Sequence, residues 1–224
     1  MSRNYVFAPG EYYHIYARGF EKSIVFKTAE DHLRFIESLF LLNTAEAIHI
    51  GNVKKHLKYV SSIERGLTSF NAIFDHPKSS VLIDIGAYCL MPNHFHILVR
   101  EKDENGKGIS KFMQKLMTSY TMYFNKKYDR TGALFGSSFK AQHVTNDNHL
   151  KYLFAYIHLN PKKIIDSKKL SAYQYSSYQD YLAKNRPQKA ILNKKAFPDY
   201  FEKGMENEIE EWLGLERLQN PERG

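Results

Sequence analysis

The chain has 224 residues, 43% of them hydrophobic and 25% charged, which excludes a disordered, collagen-like or coiled-coil protein and allows one large or two small domains with a self-sufficient core. A single cysteine, Cys89, excludes an internal disulfide framework and a multi-cysteine zinc site; residues 1–10 hold no apolar leader core and no apolar run nears ~18 residues, so a reducing, cytoplasmic setting away from membranes is expected. The net charge of +8 is uneven, because residues 199–224 hold eight acids and three bases, leaving +13 on residues 1–198.

A basic body with 16 Tyr and 15 Phe fits a polyanion partner, since phosphates meet Lys and Arg while bases stack on aromatic faces. A basic soluble protein without such a partner fits the same numbers.

Residues 11–18, EYYHIYAR, are rich in β-favouring side chains and end at Gly19, which predicts a strand. Thr28 with Asp31 three residues on makes a capping-box pattern, and Leu33, Phe35, Ile36, Leu39 and Phe40 at helical spacing carry a helix to about Asn43. Residues 44–81 read as an insertion, helical in part through Leu57, Val60 and Ile63, with loops at Gly66 and Asp75-His76-Pro77. Residues 81–90 and 94–100 predict a hairpin turning at Met91-Pro92-Asn93, and residues 101–108 a polar turn. Residues 109–127 predict a helix with Phe112, Leu116, Tyr120 and Tyr123 along one stripe. A fourth strand falls within 134–144, and Asn146 or Asp147 caps a helix that reaches Leu159 and is stopped by Pro161. A Tyr- and Ser-rich connection over 167–181 leads to an acidic amphipathic helix at 205–218 holding Trp212.

This order is that of an α+β, ferredoxin-like (split βαβ) domain, an antiparallel four-stranded sheet with helices on one face and one further helix. We assign residues 1–182 to it, with the insertion at 44–81, and residues 183–224 to a partly helical, acidic extension.

Two segments carry candidate chemistry. In MPNHFHILV, residues 91–99, His94, His96 and Leu98 fall on one strand face and Phe95, Ile97 and Val99 on the other. Two imidazoles on one face can share a divalent ion and leave positions open for substrate oxygens; two surface histidines on a solvated face give the same pattern. In the helix before Pro161, Leu150, Leu153, Phe154 and Ile157 form the apolar stripe, while Tyr152, Tyr156 and Asn160 form a separate row. That row could present a phenol and an amide to one point, or a flat surface tyrosine and a C-terminal cap. His149 lies before it.

MPNHFHILV followed by YIHLNP resembles the single-tyrosine HUH transposases, IS200-like, and among them the REP-associated tyrosine transposases. YHIYARG (13–19), IVFKTAEDHLRFIESL (24–39), SYTMYFNKKYDRTGALF (119–135) and YQYSSYQDYL (173–182) match in the same order, so the likeness covers most of residues 11–182. The resemblance implies a ferredoxin-like fold and a cytoplasmic enzyme that cuts and rejoins single-stranded DNA at hairpin-bearing ends through a 5′-phosphotyrosine. It implies Tyr156 as nucleophile, His94, His96 and Asn160 as ligands of Mg²⁺ or Mn²⁺, and a monomer or homodimer. A domesticated, inactive binder of hairpin DNA or RNA and a metal-dependent hydrolase are the rival classes. Relatives often carry Arg where Ser138 stands. For the DNA path, the basic stretch 107–140 offers Lys111, Lys115, Lys126, Lys127, Arg130 and Lys140, and the first strand offers Arg18.

Overall fold

The computed structural model describes residues 6–63, 69–76, 80–182 and 186–200. Four strands, β1 (Tyr12–Arg18), β2 (Ile83–Met91), β3 (His94–Glu101) and β4 (Lys140–His143), form one sheet in the order β2-β3-β1-β4. Every neighbouring pair is antiparallel, as a split βαβ fold requires. The register sets Tyr16 beside His96 and Arg18 beside His94.

Among the described residues six α-helices accompany the sheet: α1 (Ala29–Leu41), α2 (Ile50–Ile63), α3 (Ser69–Phe74), α4 (Gly108–Lys127), α5 (Asp147–Leu159) and α6 (Tyr178–Tyr181). α2 and α3 occupy the expected insertion. Helix α1 begins in the capping box read from Thr28 and Asp31: the Asp31 backbone N–H donates to the Thr28 hydroxyl and the Thr28 N–H to the Asp31 carboxylate. The predicted helix at 205–218 lies outside the described residues.

Alternation along β3 divides the protein. Phe95, Ile97 and Val99 join the buried stripes of α1 and α4, among them Phe35, Leu39, Phe112, Leu116 and Tyr120. Leu98 joins Ala87, Cys89 and Met91 of β2 under Leu150, Leu153, Phe154 and Ile157 of α5. The histidine face is therefore roofed by α5, and the open, solvated face that the sequence also allowed is excluded. β2 is buried along all nine residues because both layers press on it.

Pro161 does not end the chain's helical course. α5 closes at Leu159, and a 3-10 turn, Asn160–Lys163, continues from it with the proline in its first turn. A missing N–H is harmless there. Residues 186–200 return to the sheet: Asn193 donates from its backbone to Ile85 and from its side chain to Asp84, and the Phe197 ring sits over Gly86. Among the described residues no helix is long and apolar enough to cross a membrane.

Candidate active site

The turn between β2 and β3 and the turn after β1 build one corner of the site. Gly19 donates its N–H to the Asn93 carbonyl, and Glu21 and Lys22 follow with φ of 50° and 61°, a left-handed pair that non-glycine residues adopt only when held there. The Asn93 side chain does some of the holding, since its Nδ2 donates to the Lys22 carbonyl at 3.1 Å. This orients the amide so that Oδ1 accepts from His94 Nδ1 at 2.6 Å. An amide oxygen is an acceptor only, so the His94 proton resides on Nδ1 and Nε2 carries the lone pair.

Helix α5 supplies the roof. Its apolar stripe packs on the sheet, which leaves Tyr152 and Tyr156 half-buried along its flank. The Tyr156 ring stands edge-on to His96, with centroids 5.4 Å apart, and to His14 at 6.1 Å, while Tyr152 lies 5.7 Å from it one turn earlier. His94 and His96 are 5.0 Å apart between ring centroids. These groups line a cavity of about 930 Å³.

His14 is the participant that sequence reading passed over. It shares the sheet face of Tyr16 and His96, and its Nε2 lies 2.8 Å from His96 Nδ1. Its partner becomes known only once β1 and β3 are in register; an isolated His in EYYHIYAR gives no such signal. Tyr120 and Tyr123, which compete with Tyr156 by residue type, are engaged elsewhere: Tyr120 donates to the Val25 carbonyl and Tyr123 to Asp31.

Burial governs protonation here. It lowers His14 to about 4, with His149 adding repulsion, and lowers His94 to about 4, helped by Arg18 and Lys163. His96, 6% exposed, falls well below the ordinary value by burial and by its histidine neighbours. All three rings are neutral near pH 7, the form that can ligate a metal. Asn160 is 2% exposed, and neither polar atom of its side chain has a hydrogen-bond partner, although the amide lies near enough to His94 to favour that ring's charged form. An orphaned buried amide is costly unless a ligand fills it. Two imidazole Nε2 atoms and an unpartnered amide oxygen fit a divalent ion that keeps open positions for substrate. Among the described residues no group of three or more His, Cys, Asp or Glu is placed to hold a metal; the Asn160 amide is the further polar group beside the histidine pair.

Residues 41–160, just over half of the chain, match the family model described as "Transposase IS200 like". The chain belongs to the IS200-like transposase family. A solved structure, described as a REP-associated tyrosine transposase bound to a REP hairpin, aligns over 84% of this transposase and 89% of that chain, with 15% identity and a TM-score of 0.50. At that identity the likeness speaks for the fold. The tRNA(His) guanylyltransferase from Saccharomyces cerevisiae aligns over 89% of this chain and 83% of its own, at 11% identity and a TM-score of 0.29, too low to bear on either fold or function. No curated protein sequence matches the transposase.

The cations of the transposase are distributed differently from the sequence expectation. Arg18 and Lys140 line the cavity, and Lys22 and Lys163 join them, with Glu21 the acid at the rim. Lys163 Nζ lies 5.7 Å from the Tyr156 ring centre and Lys140 Nζ 6.0 Å from that of Tyr16. Helix α4 packs against the opposite face of the sheet, so its bases are not brought to this cavity. Lys111 pairs with Asp103 at 3.3 Å, and Lys115 donates to the Thr44 and Glu46 carbonyls. Lys127 is held by Glu30 and Asp31 at 2.7 and 2.8 Å. Arg130 lies by the Phe124 ring, and Lys126 is exposed on the same helix. A count of charges along the chain cannot tell which face of the sheet a helix will cover.

Proposed function

We propose that this transposase cuts and rejoins single-stranded DNA at hairpin-bearing ends, with Tyr156 as nucleophile and with His94, His96 and Asn160 holding Mg²⁺ or Mn²⁺. The observation that carries the reading is the meeting of side chains from β3, from α5 and from the 3-10 turn that follows it. Tyr156 stands edge-on to His96, and one turn later a buried amide without a partner lies beside His94. The hairpin substrate is suggested by the REP hairpin of the solved relative.

The bound ion would act as a Lewis acid on the scissile phosphate and offset charge that grows there in the transition state. The remaining work belongs to the chain. Asn93 and the Glu21–Lys22 turn hold His94 in one tautomer. Arg18, Lys22, Lys140 and Lys163 draw the phosphate backbone into the cavity. The stripe of α5 fixes the Tyr156 ring so that its hydroxyl oxygen can approach phosphorus with little reorganisation. That oxygen forms a bond to phosphorus while the bond from phosphorus to the 3′ oxygen breaks, leaving a 3′ hydroxyl and a 5′-phosphotyrosine. Attack of a 3′ hydroxyl on this ester reverses the step, frees the tyrosine and reseals the strand without nucleotide hydrolysis.

The test is Tyr156→Phe. Removing one oxygen preserves the ring contacts, so stability and hairpin-DNA binding should stay near wild type while cleavage and the covalent adduct disappear. On a denaturing gel only label on the 3′ side of the cut should migrate with protein. An adduct that survives in Tyr156→Phe would overturn the assignment, and Tyr152 would be examined next. Binding without any adduct in the wild type would favour the inactive hairpin binder.

A further inference from the structure

We infer that His14 is a positioning residue that sets whether His96 can ligate a metal, by accepting a hydrogen bond from His96 Nδ1–H and so leaving His96 Nε2 free. The inference rests on the proposed role of His96.

The two histidine ligands are supported unequally. Asn93 can only accept from His94, and the Lys22 carbonyl keeps the Asn93 amide from turning over. His94 is thus committed to a free Nε2 before any ion arrives. His96 has no such partner. Its Nδ1 faces His14 Nε2 at 2.8 Å, the two rings stack at 23° with centroids 5.0 Å apart, and both residues are buried. Either nitrogen of this contact can be the donor.

The two arrangements have different consequences. If His14 Nε2 holds the shared proton, neutral His96 carries its own on Nε2, and that atom has no lone pair to offer. If His96 Nδ1 holds the proton and donates it to His14, Nε2 is free and His14 carries its proton on Nδ1. His14 Nδ1 is buried with no hydrogen-bond partner, so neither arrangement is fully satisfied inside the protein. With both arrangements open to the protein alone, a bound ion would select the second. An acceptor at position 14 is therefore needed to hold the ligating tautomer, in the manner of carboxylates and carbonyls behind metal-bound imidazoles.

The experiment measures Mn²⁺ binding to the full chain by the paramagnetic resonance signal of free Mn²⁺, for wild type, His14→Phe and His14→Gln. Phe keeps a flat ring and removes both nitrogens; Gln offers a carbonyl acceptor. His14→Phe should weaken binding roughly tenfold to hundredfold, and His14→Gln should recover most of that loss. Equal affinity in His14→Phe and wild type, or a Gln variant as weak as the Phe variant, would overturn the inference. Nitrogen-15 imidazole spectra of the wild type give a reading that needs no variant to fold. With saturating Mg²⁺, His96 should carry its proton on Nδ1, and a proton found on Nε2 would overturn the inference. Normal strand cleavage with unchanged Mn²⁺ affinity in His14→Phe sinks His14 alone. Intact Mn²⁺ binding in a wild type that never forms an adduct sinks the transposition chemistry and leaves His14 standing.

Discussion

Asn160 is the residue whose surroundings most demand a ligand. Its amide is buried and both polar atoms go unpaired, so the metal-free protein carries an unsatisfied group on the order of 1–3 kcal/mol. Leucine has nearly the same volume and no polar atoms. Asn160→Leu should therefore raise stability in EDTA by about 1 kcal/mol or more, while abolishing Mn²⁺-dependent stabilisation and cleavage. Thermal unfolding with and without Mn²⁺ reads both effects, and a variant less stable than wild type in EDTA would count against a frustrated amide. The placement of these side chains was legible in the sequence: the spacing of Tyr152, Tyr156 and Asn160 put them off the apolar stripe, and the period of two put His94 and His96 on one face. Asn93 and His14 were not legible. Their roles depend on a left-handed turn and on a strand register, and neither leaves a mark in the local pattern of residues.

At the scale of elements, α1 and the end of α4 are tied through one carboxylate. Asp31 accepts from the Lys27 and Thr28 backbone, from the Tyr123 and Tyr128 hydroxyls and from Lys127. Burial pushes its pKa up, but the hydrogen bonds from Lys127, Tyr128, Thr28 and Tyr123 together outweigh it and hold the group at about 2. A carboxylate depressed below its unfolded value of about 3.9 stabilises the fold above that pH and loses the contribution as pH falls through 2. Asp31→Asn should cost roughly 2 kcal/mol at pH 7 and flatten the acid limb between pH 4 and 2, as urea titrations across that range would record. An unchanged acid limb would show that the cluster is not what acid disrupts. The same geometry commits Lys127, one of the cations offered for the DNA path, to this joint. The ferredoxin-like order itself was legible throughout, because capping boxes, stripes and alternation are local signals; which bases face the cavity is a tertiary property.

For the molecule as a whole, charge should decide affinity. If Arg18, Lys22, Lys140 and Lys163 each neutralise one phosphate, log affinity for single-stranded DNA should fall with log salt at a slope of roughly −3. Lys163→Glu and Lys140→Glu should weaken binding and flatten that slope, whereas Lys111→Glu, on the far face, should leave both nearly unchanged. A Lys111→Glu protein as impaired as Lys163→Glu would place the DNA elsewhere. The seat of Phe197 bears on a different property, the fraction of time the protein is assembled. A Cβ on Gly86 would lie 2.6 Å from the Phe197 ring, which also meets Tyr12 and Phe154, and just beyond it the Tyr200 hydroxyl donates to Asp147 in the first turn of α5. Residues 186–200 thus brace α5, the helix that carries Tyr156. Phe197→Ala should let α5 open locally, so that its amide protons exchange faster while those of α1 and α4 keep their protection. Turnover would then fall with the open fraction and not with the chemistry, and the tail would act as a clutch on an otherwise intact site.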